Sequence, residues 1–265
     1  MRRLRLGAVS YLNTKPLVYG LDALRDLFTV RYDVPSQCAT LLHQGHVDLG
    51  LIPSVEYLRG DYSMVPDVAI GSNGPIASVA IFSRVPIDRI RTLALDTSSR
   101  TSVVLTKILC AKRWQIAPTV VPSRPDIKTM LANADAALLI GDPALELDPD
   151  AHGVSKVDLG TEWHALTGLP FVFAVWAGRP GIATREHCEG LQAARDRGVA
   201  NVPEIARATG RGDAMREARA LHYLRDNLKY GFGAAEVAGL LTFHVWAVEL
   251  GVAAGLKPLR FFEGR

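Results

Sequence analysis

The sequence predicts an α/β protein whose two lobes face each other across a ligand cleft. Three observations carry that expectation. Short apolar runs alternate with helical patterns as far as residue 177, and only helical patterns follow. Polar, loop-forming clusters recur just after the apolar runs, where an open α/β sheet meets its ligands. Those clusters fall into two sets, Ser10–Thr14 with Pro53–Glu56 early and Asp96–Thr101 with Gly141-Asp142 later, as two facing lobes require.

Taken in order, Leu4, Leu6, Ala8 and Val9 suit a buried strand, and Thr29–Asp33 suits a second. Pro16 followed by Leu17, Leu21, Leu24 and Leu27 reads as a helix with proline in its first turn. Pro35–Gln44 reads as another helix, stopped by Gly45. Val47–Ile52 and Asp67–Ile70 are strands, and Gly71–Pro75 is a tight loop. Ile76–Ser83 is then the strand that crosses into the second lobe.

Beyond it come strands at Thr92–Leu95, Thr119–Val121, Ala136–Ile140 and Lys156–Leu159, with helices at Ser102–Arg113, Ile127–Asn133 and Thr161–Thr167. Phe171–Ala177 is the last strand, and Ala174–Gly178 forms the return crossing. Leu191–Arg197, Val202–Ala208, Arg216–Leu228 and Ala234–Leu250 are helical, and His244 within the last apolar stripe reads as a packed histidine. The lobes therefore divide as 1–83 and 177–265 for the first and 84–176 for the second, with mainly parallel sheets.

Composition narrows the function classes. With 265 residues and 48% hydrophobic content, the chain has a real core. Its net charge of +3 comes from scattered Lys and Arg, which suits a small anion and not nucleic acid. No apolar run approaches the ~20 residues that span a bilayer, so no membrane partner is expected. The Met-Arg-Arg-Leu-Arg start is basic like a signal peptide's. However, the apolar stretch after it is broken by Ser10, Asn13 and Lys15, and no small-residue cleavage site follows. The expectation is a cytoplasmic protein. Cys38, Cys110 and Cys188 lie far apart with no CxxC, and His43 and His46 stand without further ligands, so no metal is implied.

The Asp96–Thr101 cluster is the strongest anion-site signal. Several hydroxyls and Arg100 sit where a helix presents free N–H groups and its positive dipole end. Asn13, Thr14 and Ser54 serve equally well as caps or as ligand donors. Glycine at 141 permits close backbone approach, and Asp142 can cap a turn or face a ligand. There is no GxSxG, P-loop or GxGxxG.

Seven phrases then resemble one family. They are Val-Ser-Tyr-Leu-Asn-Thr-Lys-Pro-Leu (9–17), Leu-Ile-Pro-Ser-Val-Glu-Tyr (51–57), Gly-Pro-Ile-Ala-Ser-Val (74–79), Leu-Asp-Thr-Ser-Ser-Arg-Thr-Ser (95–102), Leu-Leu-Ile-Gly-Asp-Pro-Ala-Leu (138–145), Asp-Leu-Gly-Thr-Glu-Trp (158–163) and Thr-Gly-Leu-Pro-Phe-Val-Phe-Ala-Val-Trp (167–176). Together they resemble the chorismate dehydratases of the futalosine route to menaquinone. The resemblance implies a type II periplasmic-binding-protein-like fold and a lyase that needs no cofactor. The substrate it implies is chorismate, a dicarboxylate, and the products it implies are 3-[(1-carboxyvinyl)oxy]benzoate and water.

The sister enzyme, 1,4-dihydroxy-6-naphthoate synthase, shares the fold but opens with a Ser-Pro-Cys-Pro-Asn-Asp type of loop. Ser10-Tyr11-Leu12-Asn13-Thr14 stands in that place here. A non-catalytic solute-binding protein on the same fold is the alternative from another class.

On this resemblance Asn13 is the catalytic residue, hydrogen-bonding the departing hydroxyl or a substrate carboxylate. Ser10, Ser54, Ser78, Ser99, Arg100 and Thr101 are expected to bind substrate, and Gly141 and Asp142 to close the second lobe. Glu56, Asp142 and the substrate's own enolpyruvyl carboxylate are the candidates for the base.

Overall fold

A computed structural model describes residues 2–262 and places ten strands in two five-stranded sheets among them. The chain begins with β1 (Leu4–Val9), β2 (Phe28–Asp33), α1 (Pro35–His43), β3 (Leu49–Pro53) and β4 (Ser63–Ser72). It continues with β5 (Val79–Ser83), β6 (Thr92–Asp96), α2 (Thr101–Leu109), β7 (Thr119–Ser123), α3 (Ile127–Ala132) and β8 (Ala136–Ile140). Next come α4 (Gly141–Glu146), β9 (Ser155–Asp158), α5 (Leu159–Thr167) and β10 (Phe171–Gly178). Four helices finish it: α6 (Arg185–Ala200), α7 (Val202–Gly210), α8 (Ala214–His222) and α9 (Ala234–Glu249).

The strand orders are β2-β1-β3-β10-β4 and β7-β6-β8-β5-β9. The expected mainly parallel pairing holds only for β1 with β2 and β3, and for β6 with β7 and β8. The crossing strands overturn it elsewhere. β10 runs antiparallel to both β3 and β4, and β5 antiparallel to both β8 and β9. A parallel neighbour needs a long crossover connection. β5 and β10 are the first strands the chain forms after each crossing, and each runs back against the neighbours it joins. β3, β5 and β8 are buried along their whole length, as their unbroken apolar sequences require of central strands.

The helix expected after Pro16 is two short 3₁₀ segments, Leu12–Val18 and Leu21–Leu24. Gly20 separates them with φ of +72°, a left-handed residue that ends the first turn so that Leu17 and Leu21 both reach the core. The segment after β3 is also 3₁₀, Ser54–Arg59. Gly71 and Ser72 extend β4 instead of forming a loop, and Gly141 starts α4 instead of lying on one. The helix expected to end at Arg113 ends at Leu109 and continues as a π-turn, Cys110–Trp114; the one expected to reach Leu228 does likewise through Tyr223–Asn227.

Behind the crossings, Trp163 of α5, Phe171 of β10 and Phe243 of α9 pack edge to face. Their ring centroids are 5.1 Å apart for Trp163–Phe171 and 5.0 Å for Phe171–Phe243. This cluster fastens the helical tail to the point where the chain returns to the first sheet. No helix among the described residues is long and apolar enough to cross a membrane.

Candidate functional site

The carboxyl ends of β1, β3, β6 and β8 converge on a cavity between the sheets. Its polar wall holds Tyr11, Asn13, Ser78, Ser99, Thr101 and Gly141, and Val9, Ile70, Ile140 and Phe173 supply apolar surface. The space is about 50 Å³. Ordinary ligand pockets run from roughly 300 Å³ upward, so the lobes stand closed over it.

Each polar group is held in a definite sense. Asn13 lies in the first 3₁₀ segment, where its Oδ1 accepts from Thr14 Oγ1 at 3.2 Å and its backbone carbonyl accepts from Tyr230 Oη at 2.9 Å. The side-chain NH2 faces the Tyr223 phenol and, with two N–H groups, keeps one donor beyond that contact. Ser78 Oγ lies 2.6 Å from Tyr223 Oη. Burial pushes that phenol well above its ordinary value, so it stays protonated. The Ser78 carbonyl also accepts from the Gly141 N–H at 2.8 Å. Ser99 Oγ accepts from Ser102 N–H at 3.2 Å in the first turn of α2, and Thr101 Oγ1 accepts from Val55 N–H at 3.2 Å. Gly141 has φ of +65°, and the Tyr11 ring lies against it.

Four residues expected to bind the ligand do not line this cavity. Ser10 is exposed, and its N–H donates to the Asp33 carbonyl at 3.0 Å. Ser54 is fully buried, with its Oγ donating to the Val172 carbonyl at 2.7 Å. Arg100 points away from the cavity, donating to Glu56 Oε2 at 2.7 Å and Thr40 Oγ1 at 3.0 Å. Asp142 Oδ1 accepts from Leu12 N–H at 2.9 Å, which ties the two sheets together.

Neither protein candidate for the base reaches the cavity wall. Glu56 is 2% exposed and is surrounded by His43 (2.6 Å), Arg100 (2.7 Å) and Arg59 (3.3 Å). Burial alone would raise its carboxyl, but the His43 hydrogen bond and the two guanidinium groups together hold it below its ordinary value. For Asp142 burial outweighs the Leu12 hydrogen bond, and its carboxyl is raised. A buried charge has to find partners, and only the fold says which ones Glu56 and Arg100 take.

The cavity wall thus offers hydroxyl, amide and backbone donors but no carboxylate, imidazole or amine. No group of three or more His, Cys, Asp or Glu able to hold a metal occurs among the described residues. His43 spends both ring nitrogens on Tyr62 and Glu56, at 2.6 Å each. Burial pushes the Cys38 thiol up to about 12 and those of Cys110 and Cys188 to about 11, so all three stay protonated. A larger groove of about 700 Å³ is lined by Arg100 with Thr40, His43 and Arg59, and is open to solvent.

Sequence reasoning missed Tyr11, Tyr223 and Tyr230. Tyr11 stood inside the selected loop and could have been found there. Tyr223 and Tyr230 carried no signal, since the stripe of Leu221, Leu224 and Leu228 passes around them.

Residues 4–249 match a family described as menaquinone biosynthesis. A chorismate dehydratase of Thermus thermophilus is 32% identical over 261 residues, covering 92% of this chain and 94% of the relative. A chorismate dehydratase of Campylobacter jejuni is 30% identical over 177 residues, covering 63% of this chain and 64% of the relative. Among solved structures, a Candida albicans protein described as having the generic periplasmic binding protein fold superposes with a TM-score of 0.67. It shares 12% identity, with 97% of this chain and 92% of that one covered.

Proposed function

Because the chain belongs to the menaquinone biosynthesis family, we propose that it is a cytoplasmic chorismate dehydratase, releasing 3-[(1-carboxyvinyl)oxy]benzoate and water without a cofactor. The observation that carries this reading, beside the curated relatives, is a cavity whose polar wall consists of neutral donors drawn from both sheets. Such a wall suits carboxylates and a departing hydroxyl, which all need donors. The reaction is redox-neutral: one ring proton and one hydroxyl leave as water, and the ring becomes aromatic.

In this proposal the Asn13 NH2 group donates to the departing hydroxyl, and Ser78, Ser99 and Thr101 donate to the carboxylates. Glu56 and Asp142 are committed to other partners, and the wall carries no other base. The substrate's enolpyruvyl carboxylate then takes the ring proton beside its own ether oxygen. The protein's share is orientation and charge stabilisation. Entry requires the lobes to separate, since the closed cavity is far smaller than the substrate.

The test is purified protein mixed with chorismate and no added cofactor, followed by mass and ultraviolet absorbance. Loss of one water, with an aromatic product formed in proportion to enzyme, supports the reading. Binding without turnover makes the chain a solute-binding protein. The absence of both binding and turnover points to the sister synthase or to another ligand. For the residue assignment, Asn13→Ala should lower kcat by about a hundredfold, the scale of losing one donor aimed at developing charge; full turnover would overturn it.

A further inference from the structure

The stretches 74–79 and 158–163, far apart in the chain, dock on each other beside the cavity. Asp158 Oδ1 and Oδ2 accept from the Ile76 N–H at 3.1 and 3.2 Å, and Oδ2 also accepts from the Ala77 N–H at 2.6 Å. Two residues earlier on β9, the Lys156 ammonium donates to the Ala77 carbonyl at 2.7 Å. The peptide groups on both sides of Ala77 are thereby fixed.

What they fix is an unfavourable conformation. Ala77 has φ of +64°, and the Ser78 N–H donates to the Ile76 carbonyl at 2.8 Å, closing a three-residue turn around it. This positive-φ γ-turn is the rare and strained form. A residue with a β-carbon persists there only where its surroundings over-determine it. Asp158 is also the N-cap of α5, accepting from Thr161 N–H at 3.0 Å. A cap needs one oxygen, so the bonds to Ile76 and Ala77 call for a second role.

That role concerns the next residue. Ser78 brings its hydroxyl to Tyr223 and its carbonyl to Gly141 at the cavity wall. If the turn relaxed to extended chain, successive side chains would change faces, and Ser78 would leave that wall. We propose that Asp158 and Lys156 are positioning residues that hold Ala77 in its left-handed turn and so aim the Ser78 hydroxyl into the cavity. The inference deepens the dehydratase reading and rests on it for the consequence in turnover, but the turn itself is open to direct measurement.

The experiment compares the full-length protein with Asp158→Asn and with Asp158→Asn/Ala77→Gly. Asparagine keeps one acceptor for the α5 cap and loses the other, while glycine adopts positive φ without strain. Three quantities are read: kcat and KM for chorismate, amide exchange at Ser78, and the thermal midpoint. In Asp158→Asn, kcat should fall and Ser78 exchange should quicken by about tenfold each, the factor that left-handed strain on a β-carbon residue is worth. Adding Ala77→Gly should bring both back to within about threefold of wild type.

Unchanged exchange in Asp158→Asn would overturn the proposal. So would a lower thermal midpoint with kcat intact, or a double variant no better than the single. If wild-type protein leaves chorismate untouched, the dehydratase reading falls, and Ser78 exchange with its glycine rescue still decides the role of Asp158.

Discussion

Replacing Gly141 by alanine separates two costs that the structure places on different lobes. The first is conformational. At φ of +65° an alanine pays the left-handed penalty, about 1–2 kcal/mol, whether the lobes are open or closed. In a chain of this size that corresponds to a thermal midpoint lower by about 2–8 °C. The second cost arises only on closure. A β-carbon at 141 would stand 2.6, 2.6 and 2.9 Å from three atoms of the Tyr11 ring, which belongs to the segment after β1, across the cleft.

Such overpacking costs about 1–3 kcal/mol, which converts to a roughly 5- to 150-fold loss in kcat/KM if chemistry needs the closed form. Thermal unfolding and steady-state turnover of chorismate measure the two separately. The double variant Tyr11→Ala/Gly141→Ala should be no worse in kcat/KM than Tyr11→Ala alone, because the clash has lost one partner. If Gly141→Ala kept full kcat/KM, or if its loss simply added to that of Tyr11→Ala, the closed cavity would not be the reacting form.

Two further predictions follow from buried charge. Arg100→Ala should destabilise the fold by about 1–3 kcal/mol, because Glu56 keeps only His43 and Arg59 in a site 2% exposed. Adding Glu56→Gln should recover part of that loss in denaturant unfolding; a double variant less stable than Arg100→Ala would refute the account. His244 is 1% exposed, stacks on Tyr57 and keeps one ring nitrogen on the Ser54 carbonyl at 3.1 Å. Burial lowers its pKa from 6.5 to about 4. The unfolded chain therefore binds a proton that the folded one refuses between those values. The stabilisation is complete above pH 6.5 and is lost as pH falls toward 4, by up to about 3 kcal/mol. His244→Phe should flatten that part of the stability profile, and an unchanged slope would count against a neutral buried ring.

Local pattern made most of the fold legible. The apolar runs at Ala136–Ile140 and Phe171–Ala177 are strands, since a central strand needs little more than uninterrupted hydrophobicity, and Leu4–Val9 is one despite the exposed Arg5. His244 is packed, as its place in an apolar stripe implied. Where the reading failed, the deciding interaction came from outside the segment. The leucine spacing after Pro16 looked helical, yet Gly20 turns the chain and each leucine finds the core separately. The sheets looked parallel because alternation cannot register that β5 and β10 enter their sheets by crossing from the other one.

The candidate site divides along the same line. From the sequence came its chemical character: polar loops at strand ends, rich in hydroxyls, with Asn13, Ser99, Thr101 and Gly141 on them, and Ser78 added by the family resemblance. Hydrogen-bonding capacity belongs to residue type, and a loop's position follows from its flanking periodicity. Only the tertiary structure decided direction. It turned Arg100 and Glu56 toward each other and away from the cavity, spent Asp142 on Leu12, and set Tyr223 and Tyr230 behind Ser78 and Asn13. A side chain's partner depends on which distant segment the fold lays beside it, and a buried polar or charged group takes the partner that removes its desolvation cost.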